Sequence, residues 1–194
     1  MFSPLIISLL TLLAFFQFKL ILKHRKWIYI LAWIAVILLA LTPSLSLLAP
    51  FKKGYVGFSF FYIVMMAGAL PVGWKLTKRL KAVRAPYSIV GFIFLLVHPL
   101  SFANKILTAN IAIPWFGLLS FIIMIPLFIT SYMFVRRKMK PSTWGKLQRF
   151  AYISYALMFV HIILNATTAQ NRVTTILLAL IYILSKFLFV FKKK

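Results

Sequence analysis

Seven apolar stretches, each close to the length that crosses a bilayer, dictate what this chain can fold into: about Pro4–Leu22, Trp27–Leu48, Tyr55–Trp74, Tyr87–Ala103, Ile111–Val135, Phe150–Ala166 and Val173–Phe191. A hydrocarbon core of about 30 Å is spanned by about 20 residues of helix. Hydrocarbon offers backbone groups no water, so a run of this kind has to satisfy its own N–H and C=O groups as a helix. Composition agrees, since 63% of the 194 residues are hydrophobic, against about 45–50% in a soluble domain. The expected fold is an all-α, polytopic transmembrane helix bundle of about seven spans. It forms one domain, 1–194, in which 1–26 is an extra N-terminal helix with its basic loop and 27–194 is the core.

The charges fall between these stretches and alternate in density. Dense clusters lie at Lys19–Lys26, Lys75–Arg84, Arg136–Arg149 and Lys186–Lys194, and together they hold 19 of the 23 Lys and Arg. Lys52, Lys53, Lys105 and Arg172 are the other 4. The excess of Lys and Arg on cytoplasmic loops then orients the chain with its N-terminus outside and its C-terminus inside, which an odd number of spans satisfies. The first stretch lacks a basic n-region and a small-residue cleavage site, so it reads as a retained helix and not a signal peptide. The expected location is integral and multi-pass, in a bacterial cytoplasmic membrane.

Asp and Glu are absent, and so is Cys. Carboxylate acid/base pairs, carboxylate-bound Ca²⁺ or Mg²⁺, disulfides, thiolate zinc sites and covalent c-type haem attachment are thereby excluded. The net charge of +23 marks loops and not a nucleic-acid surface. The longest basic loop, about Arg136–Arg149, has no room for a nucleotide- or flavin-binding module, and no Gly-rich phosphate loop appears. A soluble electron donor or a membrane quinone would have to be separate.

Three histidines remain. His24 sits in a Lys-His-Arg-Lys cluster, where a solvated or lipid-facing role fits. His98 and His161 lie inside apolar stretches, where ionisable groups are functional candidates by default. In the derived topology both helices run from inside to outside. His98 follows Pro86 and His161 follows Phe150 by nearly equal lengths, roughly 17 Å of helical rise. Two neutral imidazoles at one level can supply both axial ligands of a b-type haem iron, with Lys105, Arg172 or Lys52 meeting its propionates. The alternative is that each imidazole only hydrogen-bonds a neighbouring helix.

From about Phe58 onward the chain resembles the ferric reductase-like transmembrane family, most closely the small haem-binding membrane subunits of periplasmic methionine sulfoxide reductase systems. Three segments carry the resemblance. Arg84-Ala-Pro-Tyr through His98 is similar to the family's basic loop leading into a helix with a haem-ligating His. Gly117 through Pro126-Leu-Phe-Ile-Thr-Ser131 is similar to the next helix. Trp144-Gly-Lys-Leu-Gln148-Arg-Phe-Ala-Tyr152, followed by His161, resembles a Trp-x-x-Leu-His-Arg-Leu-x-Tyr motif with a second His near the outer end of that helix. Gln148 stands where the motif has its first His, and an amide is a poor iron ligand. Pro99 after His98 is a second departure and is expected to kink the helix there.

The resemblance implies one haem b in the outer half of the membrane, with iron held by His98 and His161. It would pass electrons from an inner quinol or reduced flavin to an outer partner reductase or ferric complex. Arg79, Arg84, Gln148 and Arg149 are the candidate inner quinone or flavin contacts, and their plainer reading is as ordinary positive-inside anchors. Trp115, Trp27 and Trp144 read first as interfacial belt residues. The competing class is a haem-free membrane scaffold or assembly subunit. A small-solute transporter loses support from the missing carboxylates and the lack of a visible inverted repeat.

Overall fold

A computed structural model describes residues 3–42, 48–109 and 112–191. Among them every regular element is helical: α1 Ser3–Lys23, α2 Arg25–Leu41, α3 Ala49–Lys52, α4 Tyr55–Met66, α5 Lys75–Leu95, α6 Val97–Ala109, α7 Trp115–Ile129, α8 Met133–Arg136, α9 Pro141–Leu164 and α10 Ala169–Lys186. A turn of π-helix, Phe187–Phe191, continues α10. Ser3–Lys23, Lys75–Ala103, Pro141–Leu164 and Ala169–Phe189 are long and apolar enough to cross a membrane, whereas the apolar helices Tyr55–Met66 and Trp115–Ile129 are shorter.

Several boundaries differ from the sequence reading, each for a local reason. The basic segment Lys75–Arg84 is the first half of α5 and not a loop. It is rich in Lys, Leu and Arg, which are good helix formers, and it holds no Gly or Pro. The basic segment Arg136–Arg149 is not one loop either, because Pro141 opens α9 in its first turn, where a missing N–H costs nothing. The apolar run from Tyr55 stops being helical after Met66, where Gly68, Pro71 and Gly73 punctuate the chain. Among the described residues of the run from Ile111, the helix α7 starts after Pro114 and ends at Ile129.

The chain divides into two compact units, Met1–Ile111 with Leu184–Lys194, and Ala112–Ile183. In the first, α4 is the core: all of its residues from Val56 to Met65 are buried, with α5, α1 and α3 packed on it. Small residues make that packing close. A Cβ on Gly57 would stand 2.8 Å from Leu95 Cβ, and one on Gly91 would stand 2.7 Å from Phe60 Cβ. The two helices therefore cross almost backbone to backbone, as helices do where lipid supplies no hydrophobic drive and dispersion must hold them together. Phe60 then meets Tyr87 edge-on at 5.0 Å between centroids, and the Tyr87 hydroxyl donates to the Leu10 carbonyl of α1 at 2.8 Å.

In the second unit α7 packs against α9. A pair of buried serines marks the crossing: Ser120 Oγ donates to the Ser154 carbonyl at 2.9 Å, and Ser154 Oγ donates to the Ser120 carbonyl at 3.1 Å. Both helices can approach this closely because serine is small and brings its own bonds.

The outward faces are apolar. α1 exposes Leu5, Leu9, Leu12, Phe16 and Leu20, with Phe16 at 67%. Each large apolar side chain left in water forgoes about 1.5–3 kcal/mol of burial, and lipid removes that penalty.

The glycine crossing of α4 with α5 yields a direct test. Gly57→Val and Gly91→Val overpack the first unit and are expected to cost about 1–3 kcal/mol each, read as a lower melting temperature in detergent. Gly73→Ala meets nothing within 4 Å and should leave that temperature unchanged; three equal melting temperatures would refute the close crossing.

Candidate functional site

His98 lies in the first turn of α6, just past the break between α5 and α6 at Leu96. Pro99 accounts for that break, since its ring excludes the Leu95 carbonyl that a residue there would normally bond. The interruption falls one turn before the proline, and the Leu96 backbone there stays in the helical range at φ −56° and ψ −31°. Facing His98 is a tight turn from α3 into α4. Gly54 occupies the left-handed region at φ 76°, which side chains other than glycine seldom adopt. A Cβ at Gly54 would also lie 3.3 Å from His98 Cγ. The turn thereby sets the Lys52 carbonyl 2.9 Å from His98 Nδ1. A carbonyl only accepts, so Nδ1 carries the hydrogen and the lone pair resides on Nε2. That tautomer, fixed by a backbone carbonyl, is the one metal-ligating histidines use.

His161 lies in the last turn of α9 and belongs to the second unit. A Cβ on Gly117 of α7 would stand 2.7 Å from His161 Nδ1, so this imidazole too is packed against a glycine. The Asn165 amide nitrogen donates to the His161 carbonyl at 2.8 Å and lies 3.3 Å from His161 Nδ1. With that amide orientation Nδ1 accepts and the proton sits on Nε2. Ligation through Nε2 requires the Asn165 amide to turn, so that its oxygen takes the proton of Nδ1.

The other sequence candidates find local partners. Arg79 donates to the Phe15 carbonyl of α1 and lies over the Phe15 ring, 4.3 Å from its centroid. Gln148 donates to Thr130 Oγ1 at 3.4 Å, and Trp144 Nε1 donates to the Thr130 carbonyl at 3.2 Å. The Gln148 amide thus joins α9 to the end of α7 at the position where the resembling motif has a histidine. Arg84, Arg149 and Arg172 are exposed. The Lys52 ammonium donates to the Thr42 carbonyl at 3.0 Å, and the side chain of Lys105 lies outside the described residues. His24 is exposed, at the break between α1 and α2, as expected. Trp27 and Trp115 are exposed as well, at 65% and 62%, while Trp144 has Arg136 over its ring at 4.0 Å.

Among the described residues no group of three or more His, Cys, Asp or Glu gathers as a metal cage; axial ligation of a haem needs only two nitrogen donors. On donor chemistry His98 fits that role as it stands, and His161 fits it with the Asn165 amide turned. Gly54, Gly117, Asn165 and the Ser120–Ser154 pair were not singled out from sequence. A glycine ahead of an apolar run is the signal that would have found Gly54, but what it faces lies 44 residues away in sequence.

No family model matches the chain, and no solved structure matches it. Among curated proteins, an uncharacterized protein of Treponema pallidum (strain Nichols) is 28% identical over 149 residues, which cover 70% of this chain and 41% of that protein. The chain thus spans about two-fifths of the length of the relative it matches.

Gly54→Ala is expected to cost about 1–2 kcal/mol from the left-handed backbone alone, and more from contact with His98. Thermal unfolding of the variant beside Gly145→Ala, whose Cβ meets nothing within 4 Å, reads the difference; equal stability would mean that the turn does not hold His98 as described.

Proposed function

We propose that the chain is a multi-pass protein of the bacterial cytoplasmic membrane that binds one b-type haem through His98 and His161 and passes single electrons from an inner donor to an outer acceptor. The observation that carries this reading is the His98 Nδ1–H bond to the Lys52 carbonyl. It gives an imidazole on an apolar helix the tautomer an iron ligand needs.

Supporting it are the distances along the two helices. The last charge before His98 is Arg84 and the last before His161 is Arg149, 14 and 12 residues earlier. These separations correspond to roughly 21 and 18 Å of rise, so each histidine lies a similar helical length beyond its own basic anchor. The seven apolar stretches and the 19-to-4 distribution of Lys and Arg favour an N-terminus outside and a C-terminus inside. In that orientation each histidine would lie toward the outer face. The motifs shared with ferric reductase-like transmembrane proteins favour the same cofactor.

Bound haem supplies reversible one-electron redox at iron, and the protein makes or breaks no bond of its own. The chain's own residues hold the ligands, exclude water and set charge. His98 would donate through Nε2 as it stands, and His161 would do so once the Asn165 amide has turned. The Lys52 carbonyl fixes the His98 ring, and Gly54 and Gly117 admit the two rings against the backbone. Lys52, Lys105 and Arg172 are the cations that would meet propionates at the outer surface. Arg84 and Arg149 are exposed cations suited to an anionic or carbonyl-bearing donor, either a quinol or a reduced flavin, while Arg79 is held by the Phe15 carbonyl and Gln148 by the Thr130 hydroxyl. The acceptor is an outer partner reductase or a ferric complex.

A second reading, a haem-free scaffold or assembly subunit, is favoured by the Asn165 contact, which holds His161 in the other tautomer. Haem content separates the two. Protein purified from haem-replete membranes is expected to give a reduced-minus-oxidised haem b spectrum and a pyridine haemochrome stoichiometry near one. His98→Ala and His161→Ala should each abolish it with membrane insertion unchanged, and His24→Ala should retain it. No haem in the unsubstituted protein would establish the scaffold reading; full haem in either of the first two variants would reassign the ligands, and a stoichiometry near two would add an inner site.

A further inference from the structure

In the first unit α1 bends at Gln17, whose backbone leaves the helical range at φ −114° and ψ 18°. Arg79 of α5 reaches into this bend, bonded to the Phe15 carbonyl and lying against the rings of Phe15 and Phe18, 4.3 and 5.3 Å from their centroids. Beside it opens a cavity of about 490 Å³ lined by Lys19, Lys23, Arg79, Gln17, Phe16 and Leu20 among others.

Three cations share that cavity in a chain with no Asp or Glu, so no side chain of the protein can neutralise them. Lys52 and Lys186 end on carbonyl oxygens, but among the described residues Lys19 and Lys23 do not. Like charges drawn together repel unless an anion joins them. Apart from the Gln17 amide the other walls are apolar, and Phe16 and Leu20 are 67% and 54% exposed. A free phosphate would satisfy the cations and leave these two side chains uncovered.

We infer that the cavity at the bend of α1 binds an anionic phospholipid, with its phosphate held by Lys19, Lys23 and Arg79 and an acyl chain laid along Phe16 and Leu20. The site rests on the membrane placement proposed above and is independent of haem. Arg79 is fixed in advance by the Phe15 carbonyl and the two rings, so little side-chain freedom is lost when the headgroup arrives. Lys19 and Lys23 each add attraction to an acidic headgroup worth about fivefold in affinity.

Native mass spectrometry of the full chain in detergent, titrated with dioleoylphosphatidylglycerol or dioleoylphosphatidylcholine, tests the site. The expected result is a retained phosphatidylglycerol adduct that exceeds the phosphatidylcholine adduct and weakens by about 25-fold in Lys19→Gln/Lys23→Gln. It should persist in Lys75→Gln/Lys78→Gln, which removes the same charge from exposed positions of α5 outside the cavity. Equal weakening in both double variants would mean bulk attraction and no site. Equal retention of the two lipids would overturn the site and leave the membrane placement standing. Displacement of the phosphatidylglycerol by an equimolar amount of inorganic phosphate would show that the acyl chain contributes nothing, and would overturn the lipid assignment.

Discussion

Main-chain carbonyls do in this protein what carboxylates do in most others. With no Asp or Glu, a cation or N–H that leaves water must find an uncharged acceptor, and an unmet polar group in an apolar medium costs several kcal/mol. Arg79 closes on the Phe15 carbonyl, Lys52 on that of Thr42 and Lys186 on that of Gly68. The Tyr87 hydroxyl, Trp144 Nε1 and His98 Nδ1 likewise end on carbonyls. Helical carbonyls are already engaged along the helix, so several of the acceptors used lie where helices bend or stop, although the Leu10, Ser120 and Ser154 carbonyls accept from within α1, α7 and α9. Phe15 precedes the bend of α1, Thr42 and Thr130 follow the last residues of α2 and α7, and Lys52 closes α3. The breaks in the helices are therefore where the cations and His98 are held.

The same rule bears on the haem site proposed. His98 owes its tautomer to the end of α3, and that end is available because Gly54 turns the chain back through a left-handed residue without pushing a Cβ into the imidazole. His161 is likewise packed against a glycine, Gly117 of α7, but its ring nitrogen meets the Asn165 amide and not a carbonyl. Neither glycine touches a cofactor, yet each sets the position of a ring that would. Close approach between helices, made by Gly57, Gly91, Ser120 and Ser154, keeps these turns from drifting. In the membrane placement proposed, where burying apolar surface gains little, such contacts and hydrogen bonds of about 0.6 kcal/mol each would carry the tertiary structure.

Much of the fold is legible along the chain because apolar length is a one-dimensional signal. α1, α9 and α10 lie within or across the runs that composition marks, and His98 and His161 stand out as polar residues inside two of them. The boundaries are less legible. Lys75–Arg84 is basic and so reads as a loop, but charge does not oppose a helix when the residues are Lys, Arg, Leu and Ala. The run from Tyr55 to Trp74 is apolar throughout, yet Gly68, Pro71 and Gly73 end its helix early. Partner choice is hardly legible at all. Nothing in the neighbourhood of Arg79 announces that it will seize a carbonyl 64 residues earlier, and Gln148 differs from its histidine counterpart only in a way that the Thr130 hydroxyl makes sense of.

The protonation of His98 is the most direct gauge of whether carbonyl pairing prepares a haem ligand. Solid-state NMR of the ¹⁵N-histidine-labelled protein in lipid, recorded before and after loading with haem, resolves the two ring nitrogens, with His98→Gln assigning the signal. The expected result is a protonated Nδ1 in both samples, with Nε2 bare before loading and strongly shifted by iron after it. A proton on Nε2 of His98 that is indifferent to haem would contradict both the Lys52 bond and the role proposed for this histidine.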